Sequence, residues 1–223
     1  MSVLFGMVER MRYFTSDTHY GHQNIIRFCD RPYADVDSMN VDLVNRAARV
    51  VEVGDELWHL GDVAFGRLDD TLTHLSRIAV DVTLVAGNHD RCHPYNGARG
   101  ERFVDVYLER CKLSDLVLTN TTLVLSSGIE AKVSHFPYPD PQLDRNEDRH
   151  GNVIVDKFAQ WRAVDDGSWL LCGHVHDSWR QRGRMINVGV DAWGGNPVSE
   201  AEVVNLIEAG PRDLDVLPWT AAS

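Results

Sequence analysis

The sequence has few cysteines, and none of them forms a spaced pair. Four cysteines occur among the 223 residues, at positions 29, 92, 111 and 172. This spacing excludes the C-x-x-C pairs of zinc ribbons and thioredoxin-type sites. Free thiols in a reducing compartment are the simplest interpretation, so we expect a cytoplasmic protein.

Long apolar runs and basic residues are also scarce. No run approaches the roughly 20 residues that span a bilayer, so we expect no membrane partner. The segment 1–12 has no basic stretch before its apolar patch, which is atypical of a signal peptide, and the true start among Met1, Met7 and Met11 stays open. The net charge of −11 argues against a stable nucleic-acid partner, because phosphate binding needs Lys and Arg.

The length and the 43% hydrophobic content suit one large domain. We predict an extension over 1–11, the domain over 12–210 and a tail over 211–223. Apolar periodicity predicts strands over 12–15, 56–60, 82–86, 169–173 and 185–190, and consecutive strands around a Ser-Ser-Gly turn over 116–136. It predicts helices over 41–51, 68–79, 98–110, 153–162 and 200–208. This order favours a four-layer α/β/β/α sandwich with two mixed central sheets. The polar stretch 137–152 is predicted to be a loop, and its role stays open.

Five of the predicted strand ends present side chains that can bind a metal ion. In chain order these are Asp17 and His19, Asp62, Asn88 with His89 and Asp90, His135, and His174 with His176. Ligands of open α/β sheets bind beyond the carboxyl ends of the strands. The sequence therefore predicts that these side chains converge at one edge of the fold.

The mixture of oxygen and imidazole donors is typical of a site for borderline divalent metals. We expect Mn²⁺, with Fe²⁺ or Fe³⁺, Zn²⁺, Ni²⁺ and Co²⁺ as alternatives. The donors are sufficient for two ions, and a carboxylate such as Asp62 can bridge a pair about 3.5–4 Å apart. A one-zinc hydrolase is an alternative, but it leaves Asn88, His135 and His174 without a role.

These residues form the ordered motifs D-x-H, G-D, G-N-H-D, H and G-H-x-H. The set resembles the calcineurin-like metallophosphoesterases over about residues 12–193. The stretches SDTHYGHQNI and INVGVDAW also resemble the small, single-domain bacterial and phage members of that family. The resemblance implies a dinuclear metal site at the carboxyl ends of the strands.

The resemblance also implies a role for each residue. Asp62 would bridge the ions, His89 would face the scissile phosphate as an acid or charge stabiliser, and Asp90 would orient His89 or its loop. A helix N-cap is an equal alternative for Asp90. The first metal would be held by Asp17, His19 and His176, and the second by Asn88, His135 and His174.

The expected reaction is direct attack on phosphorus by a hydroxide shared between the two metals. Protein phosphatases of the family carry G-D-x-x-D-R-G, whereas Gly61–Arg67 here lacks the Asp-Arg-Gly. We therefore expect small phosphodiester substrates, such as cyclic nucleotides or short nucleotide diesters. A phosphomonoesterase, a nuclease and a non-catalytic metal-binding scaffold are the alternatives.

Two further histidines are candidate substrate contacts. His22 follows the first motif closely, and His150 lies in the polar loop. An ordinary loop histidine is the alternative for each. The sequence leaves the oligomeric state open.

Overall fold

Two five-stranded mixed sheets form the centre of the protein, in a computed structural model that describes residues 10–139 and 156–220. The strands are β1 (Arg12–Thr15), β2 (Glu56–His59), β3 (Asp81–Val85), β4 (Asp115–Val117), β5 (Asn120–Val124), β6 (Glu130–Ser134), β7 (Trp169–Cys172), β8 (Gln181–Arg182), β9 (Met185–Asn187) and β10 (Val198–Ser199). The first sheet has the order β10-β1-β2-β3-β4, and the second has the order β5-β6-β7-β9-β8. Strands β1 to β4 are parallel, as are β6, β7 and β9.

Six α-helices accompany the sheets in the described residues. They are α1 (Gln23–Phe28), α2 (Val36–Val50), α3 (Leu68–Thr71), α4 (Ala98–Glu101), α5 (Val104–Cys111) and α6 (Glu200–Glu208). Short 3₁₀ segments cover Leu72–Arg77, Pro94–Asn96, Ala159–Trp161 and Val190–Ala192. None of these helices is long and apolar enough to cross a membrane.

Successive side chains of one strand pack into hydrophobic cores on opposite faces of its sheet, and this alternation produces the layered architecture. In β2, Leu57 packs with the helices on one face of the first sheet, and Trp58 packs between the two sheets. In β7, Leu171 faces the space between the sheets and Leu170 faces the opposite side. The predicted α/β sandwich with two mixed sheets is confirmed.

Most of the predicted elements recur with shifted bounds. Helix α2 begins at Val36, five residues before the expected position, because the Asp35 carboxylate accepts a hydrogen bond from the Ser38 amide and caps the helix. The segment expected as one helix over 68–79 turns from α into 3₁₀. Leu72, Leu75 and Ile78 are all buried at a spacing of three, which matches the 3₁₀ period.

The prediction of a helix over 153–162 is wrong for the part of that segment that the structure describes. Residues 153–155 lie outside the described part, and the remainder holds only the 3₁₀ segment Ala159–Trp161. The Arg162 side chain donates to the Asp156 carboxylate at 2.6 Å and to the Pro137 carbonyl at 2.9 Å. These contacts stabilise a compact turn instead of a continuous helix.

The chain after α6 packs onto the domain through residue 220. Leu214 pairs with Gln181 and Leu217 with Trp193 through isolated β-bridges. The ring of Trp219 lies 5.9 Å from the guanidinium carbon of Arg31. The segment predicted to be a tail therefore covers part of the sandwich where it is described.

All four cysteines are buried and unpaired.

Candidate metal centre

The polar side chains at the strand ends meet at one edge of the two sheets. β1, β2 and β3 of the first sheet and β6 and β7 of the second all deliver residues there. We call this set the ligand cluster; it comprises Asp17, His19, Asp62, Asn88, His135, His174 and His176. The convergence expected from the sequence is present in the structure.

Asp62 lies in the middle of the ligand cluster. Its Oδ2 atom is 3.6 Å from Nε2 of His19 and 3.5 Å from Nε2 of His135. The same oxygen is 4.0 Å from Nε2 of His89. Asp62 is only 1% exposed, so its carboxylate faces these imidazoles instead of water.

Two groups of donors flank Asp62. On one side, ligand atoms of Asp17, His19 and His176 lie within 4.8 Å of one another. The rings of His19 and His176 are stacked with centroids 5.2 Å apart. A second set of three donors, Asp17, Asp62 and His135, satisfies the same distance criterion. The two sets therefore share the carboxylate of Asp17.

The other flank contains Asn88, His135 and His174. Oδ1 of Asn88 lies 3.1 Å from Nε2 of His135, and the rings of His135 and His174 are 5.2 Å apart. Nδ1 of His135 lies 2.7 Å from the carbonyl oxygen of Leu60. Because a carbonyl only accepts, Nδ1 carries the proton and Nε2 presents its lone pair to the cluster.

The backbone of the ligand cluster is strained. Among the described non-glycine residues with positive φ, five belong to the cluster: Asp17 (57°), His19 (51°), Asp62 (56°), His174 (72°) and His176 (48°). Each such residue costs about 1–3 kcal/mol and persists only where the surrounding structure enforces it. This concentration of left-handed backbone indicates a functional site.

Two glycines allow the strand-end loops to approach each other closely. A Cβ atom on Gly87 would overlap the carboxylate of Asp62, and one on Gly173 would overlap Ser16 and the carboxylate of Asp17. Larger residues at these positions would push the carboxylates out of the ligand cluster.

Several polar atoms of the ligand cluster are buried without a hydrogen-bond partner. They are Oδ1 of Asp17 and both ring nitrogens of His19. Buried polar atoms are nearly always paired, because each unpaired one costs about 1–3 kcal/mol. Lone pairs of carboxylate and imidazole groups that converge without donors fit a cation, so the residues present suit a divalent metal.

The pKa shifts of Asp62, His19 and His174 all follow first from burial. Burial raises the pKa of Asp62 well above its ordinary value, and the carboxylates of Asp90 and Asp17 raise it further. Burial lowers the pKa values of His19 and His174 well below the ordinary range. Imidazole binds metals in its neutral form, which these low values favour, and a cation beside Asp62 would restore its ionised form.

His176 shows the opposite shift. Burial by itself lowers its pKa, but the charge of Asp17 and the hydrogen bond to Asp191 outweigh burial and raise the pKa to about 11. Nδ1 of His176 lies 3.0 Å from Oδ2 of Asp191. A metal bound at Nε2 of His176 would therefore have to displace a proton from that atom. Nδ1 would keep its hydrogen bond to Asp191.

Asp90 supports the loops of the site by hydrogen bonds to backbone amides. Its carboxylate accepts from the amides of Asp62 at 2.8 Å, Val63 at 3.0 Å and Gly87 at 2.8 Å. These bonds tie the loop after β2 to the loop after β3. The geometry agrees with the loop-orienting role expected for Asp90.

His89 stands at the open side of the ligand cluster. Its side chain is 44% exposed, and its backbone amide donates to Oδ1 of Asp62 at 2.8 Å. Burial and the neighbouring His135 lower the pKa of His89. The imidazole is therefore accessible to a ligand that approaches Asp62.

The two candidate substrate contacts differ in outcome. The ring of His22 lies 5.4 Å from that of His19 and stacks on Phe65 with centroids 4.4 Å apart. His22 therefore lies beside the ligand cluster. His150 lies outside the described residues, and its role stays a prediction.

A buried ion pair behind the ligand cluster was missed by sequence reasoning. Arg31 donates to both carboxylate oxygens of Asp191 at 2.8 Å. It also donates to the carbonyls of Asp17 at 2.7 Å and Thr18 at 3.0 Å. Arg31 thus holds the loop of Asp17 and, through Asp191, the ring of His176. The INVGVDAW stretch contained Asp191, but no sequence signal joined it to Arg31.

Asp191 also lies near Cys29 and His176, whose ligand atoms form a third compact set of three. The guanidinium of Arg31 already neutralises Asp191. We therefore regard this set as a support for His176 and not as a cation site.

We expect the substitution Asp191→Asn to weaken metal binding about 10- to 100-fold, the usual effect of losing a carboxylate behind a ligating histidine. The amide would neither pair with Arg31 nor accept strongly from His176. Isothermal titration with Mn²⁺ measures the affinity. Asp42→Asn is the matched control, because Asp42 also pairs with a buried arginine, Arg46, and does not belong to the ligand cluster. Equal affinity of Asp191→Asn and the unaltered protein would show that the hydrogen bond does not tune the metal.

Comparison with known proteins agrees with the geometry of the ligand cluster. Residues 12–197 match the calcineurin-like phosphoesterase superfamily domain. The chain belongs to this superfamily, whose members are metal-dependent phosphoric ester hydrolases with a dinuclear divalent metal centre.

Its relatives include small phage and archaeal proteins. The Gene 66 protein of Mycobacterium phage L5 is 32% identical over 205 residues, 87% of this chain and 93% of that protein. The Gene 66 protein of Mycobacterium phage D29 is 34% identical over 212 residues, 89% of this chain and 98% of that protein. An uncharacterized protein of Methanocaldococcus jannaschii is 26% identical over 213 residues, 92% of this chain and 95% of that protein.

A solved structure shares the fold. The crystal structure of a protein of unknown function from Aquifex aeolicus superposes with a TM-score of 0.61 and 25% identity. The match covers 88% of this chain and 99% of that one. The family and fold expected from the motifs are confirmed.

Proposed function

We propose that the protein hydrolyses small phosphodiesters at a dinuclear site formed by the ligand cluster. The observation that carries the proposal is the position of Asp62, whose Oδ2 lies 3.6 Å from His19 and 3.5 Å from His135. One carboxylate oxygen between two imidazoles of different donor groups supports a bridging role.

The distances support a division of the remaining ligands between two ions. Asp17, His19 and His176 would hold the first ion, and Asn88, His135 and His174 the second. Two divalent cations there would neutralise the phosphate and make a water nucleophilic near neutral pH. The mixed donors favour Mn²⁺, with the other divalent transition metals as alternatives.

The chain's own groups would complete the reaction around the phosphate. The backbone amide of His89 fixes Oδ1 of Asp62, which leaves Oδ2 toward the imidazoles. The exposed His89 side chain would protonate or stabilise the ester oxygen that leaves. In the absence of metal and substrate, burial and the neighbouring His135 lower the pKa of His89.

The loop after Asp62 supports small esters over phosphoproteins. Arg67 is 88% exposed and pairs with Asp70 at 3.4 Å, so it does not enter the ligand cluster. Arg31 is buried and committed to Asp191. The net charge of −11 further supports a small substrate over a stable nucleic-acid partner.

The proposal predicts a preference for diesters that depends on metal. After removal of metal and reloading with Mn²⁺, we expect a higher kcat/KM for bis-p-nitrophenyl phosphate than for p-nitrophenyl phosphate, and loss of both activities on chelation. Both substrates release p-nitrophenol, so the ratio of the two kcat/KM values reports the preference of the active site for one type of ester. A preference for the monoester would identify a phosphatase instead. Two bound metals without turnover of either ester would favour the non-catalytic scaffold.

A further inference from the structure

An exposed aromatic ring stands beside the ligand cluster in a fixed orientation. Phe65 is 39% exposed, and its ring lies parallel to that of His22, at 17° and 4.4 Å between centroids. The Phe65 amide donates to the carbonyl of Tyr20 at 2.8 Å. The ring is therefore held by both its backbone and its stacking partner, although part of it faces solvent.

A cavity of about 240 Å³ joins Phe65 to the ligand cluster. We call it the Phe65 pocket; its lining includes Phe65, Leu68, Asn88, His89, Arg91 and Asn96. The volume is below the roughly 300–1,000 Å³ of sites that take drug-sized ligands. The Phe65 pocket therefore has room for one small ring system.

The lining of the Phe65 pocket combines an apolar part with polar groups. Ala64 and Leu68 are buried beneath it. The guanidinium of Arg91 donates to the Gly66 carbonyl at 3.3 Å and lies 5.4 Å from the ring centre of Phe103, which orients it at the rim. Apolar walls with a few oriented donors are typical of ligand pockets.

The position of the Phe65 pocket relates it to the reacting phosphate. The rings of Phe65 and His89 lie 5.5 Å apart in an edge-to-face arrangement. His89 in turn lies 4.0 Å from Asp62. A group attached to a phosphate at the ligand cluster would reach the exposed part of Phe65 directly.

We propose that Phe65 and its pocket bind a planar heteroaromatic ring, of the size of a nucleobase, on one ester group of the substrate. This inference rests on the phosphoesterase function proposed above. Any nucleobase can stack on an aromatic side chain, because every base has a π-face. Arg91 supplies hydrogen-bond donors to ring heteroatoms. The Phe65 pocket thus selects nucleotide-like esters over aliphatic ones.

The test compares two competitive inhibitors that carry the same phosphate and a similar sugar. With the Mn²⁺-loaded protein, we expect uridine 5′-monophosphate to bind roughly 5- to 150-fold more tightly than ribose 5-phosphate, the range for stacking of one base. Phe65→Ala should reduce this ratio toward one, and Phe65→Trp should preserve it. Metal content should stay the same in both variants.

Phe28→Ala is the matched control. Phe28 is 61% exposed, and its ring lies edge-to-face with that of His22 at 6.3 Å between centroids. It does not line the Phe65 pocket, so its removal should leave the inhibitor ratio unchanged. A ratio near one in the unaltered protein, or equal losses in Phe65→Ala and Phe28→Ala, would overturn the inference.

Direct titration separates this inference from the proposed activity. If no diester is cleaved but uridine 5′-monophosphate binds more tightly than ribose 5-phosphate in a Phe65-dependent manner, the ring site stands and the hydrolase proposal fails. If diesters are cleaved but Phe65→Ala leaves the ratio intact, hydrolysis stands and the ring site is wrong.

Discussion

Asp62→Ala should abolish the dinuclear site and lower kcat/KM about 1,000-fold or more. Metal ions stabilise the charge of a phosphoryl transition state by several kcal/mol, and each 1.36 kcal/mol corresponds to a factor of ten in rate. Asp62 is the residue whose carboxylate oxygen lies between imidazoles of both donor groups. Elemental analysis of the purified protein and initial-rate kinetics on bis-p-nitrophenyl phosphate measure the two effects.

A second variant separates this effect from unfolding. Asp62→Asn retains an oxygen that can accept from the His89 amide, and its amide cannot ionise, which avoids the cost of a buried carboxylate near Asp90 and Asp17. The metal-free Asn variant should therefore melt no lower than the unaltered metal-free protein. Asp55→Asn is a control at the opposite end of β2, where the buried carboxylate accepts from the amides of Met11 and Glu52. Two metals and full activity in Asp62→Ala would exclude the bridging role.

His89→Ala should lower kcat by about 100- to 10,000-fold for a diester with an alkyl leaving group, the usual contribution of a general acid. The protein should still bind two metals, because the substitution leaves the backbone amide that holds Asp62. The loss should be much smaller for a p-nitrophenyl ester, because that leaving group departs without a proton. Steady-state rates on the two ester types measure how the loss of kcat differs between them, and elemental analysis measures the metal content.

Equal losses on the two ester types would assign His89 to charge stabilisation instead of proton donation. His74→Ala is the matched control for removal of an imidazole, because His74 stacks on Tyr20 and not on the ligand cluster. A fall in metal content in His89→Ala would contradict both roles, since it would make His89 a ligand.

The elements that carry the ligand cluster could be predicted because each depends on local pattern. β1, β2 and β3 are short apolar runs with branched or aromatic residues, and the ligands follow them within a few positions. The 3₁₀ segment Ala159–Trp161 could not be predicted. It depends on Arg162 reaching Asp156 and the distant Pro137 carbonyl, and such contacts have no periodicity. Helix α1 has only six residues, too few for an amphipathic pattern.

The supporting residues of the site could not be read from sequence for a similar reason. Arg31 and Asp191 are 160 positions apart, and a single arginine in a loop is ordinarily solvated. The stacking of Phe65 on His22 likewise joins two loops that follow different strands. Nothing in either loop indicates the other.

By itself, the sequence determined the fold class, the superfamily and the identity of the residues in the ligand cluster. Strand-end position and donor chemistry are local properties, and five ordered motifs along one chain restrict the family strongly. Only the tertiary structure decided the rest: the distances around Asp62, the Arg31–Asp191 pair behind the ligand cluster and the Phe65 pocket beside it. Each of these depends on which loops pack together, and loop packing is decided by the closed sandwich of two sheets and not by any one segment of the chain.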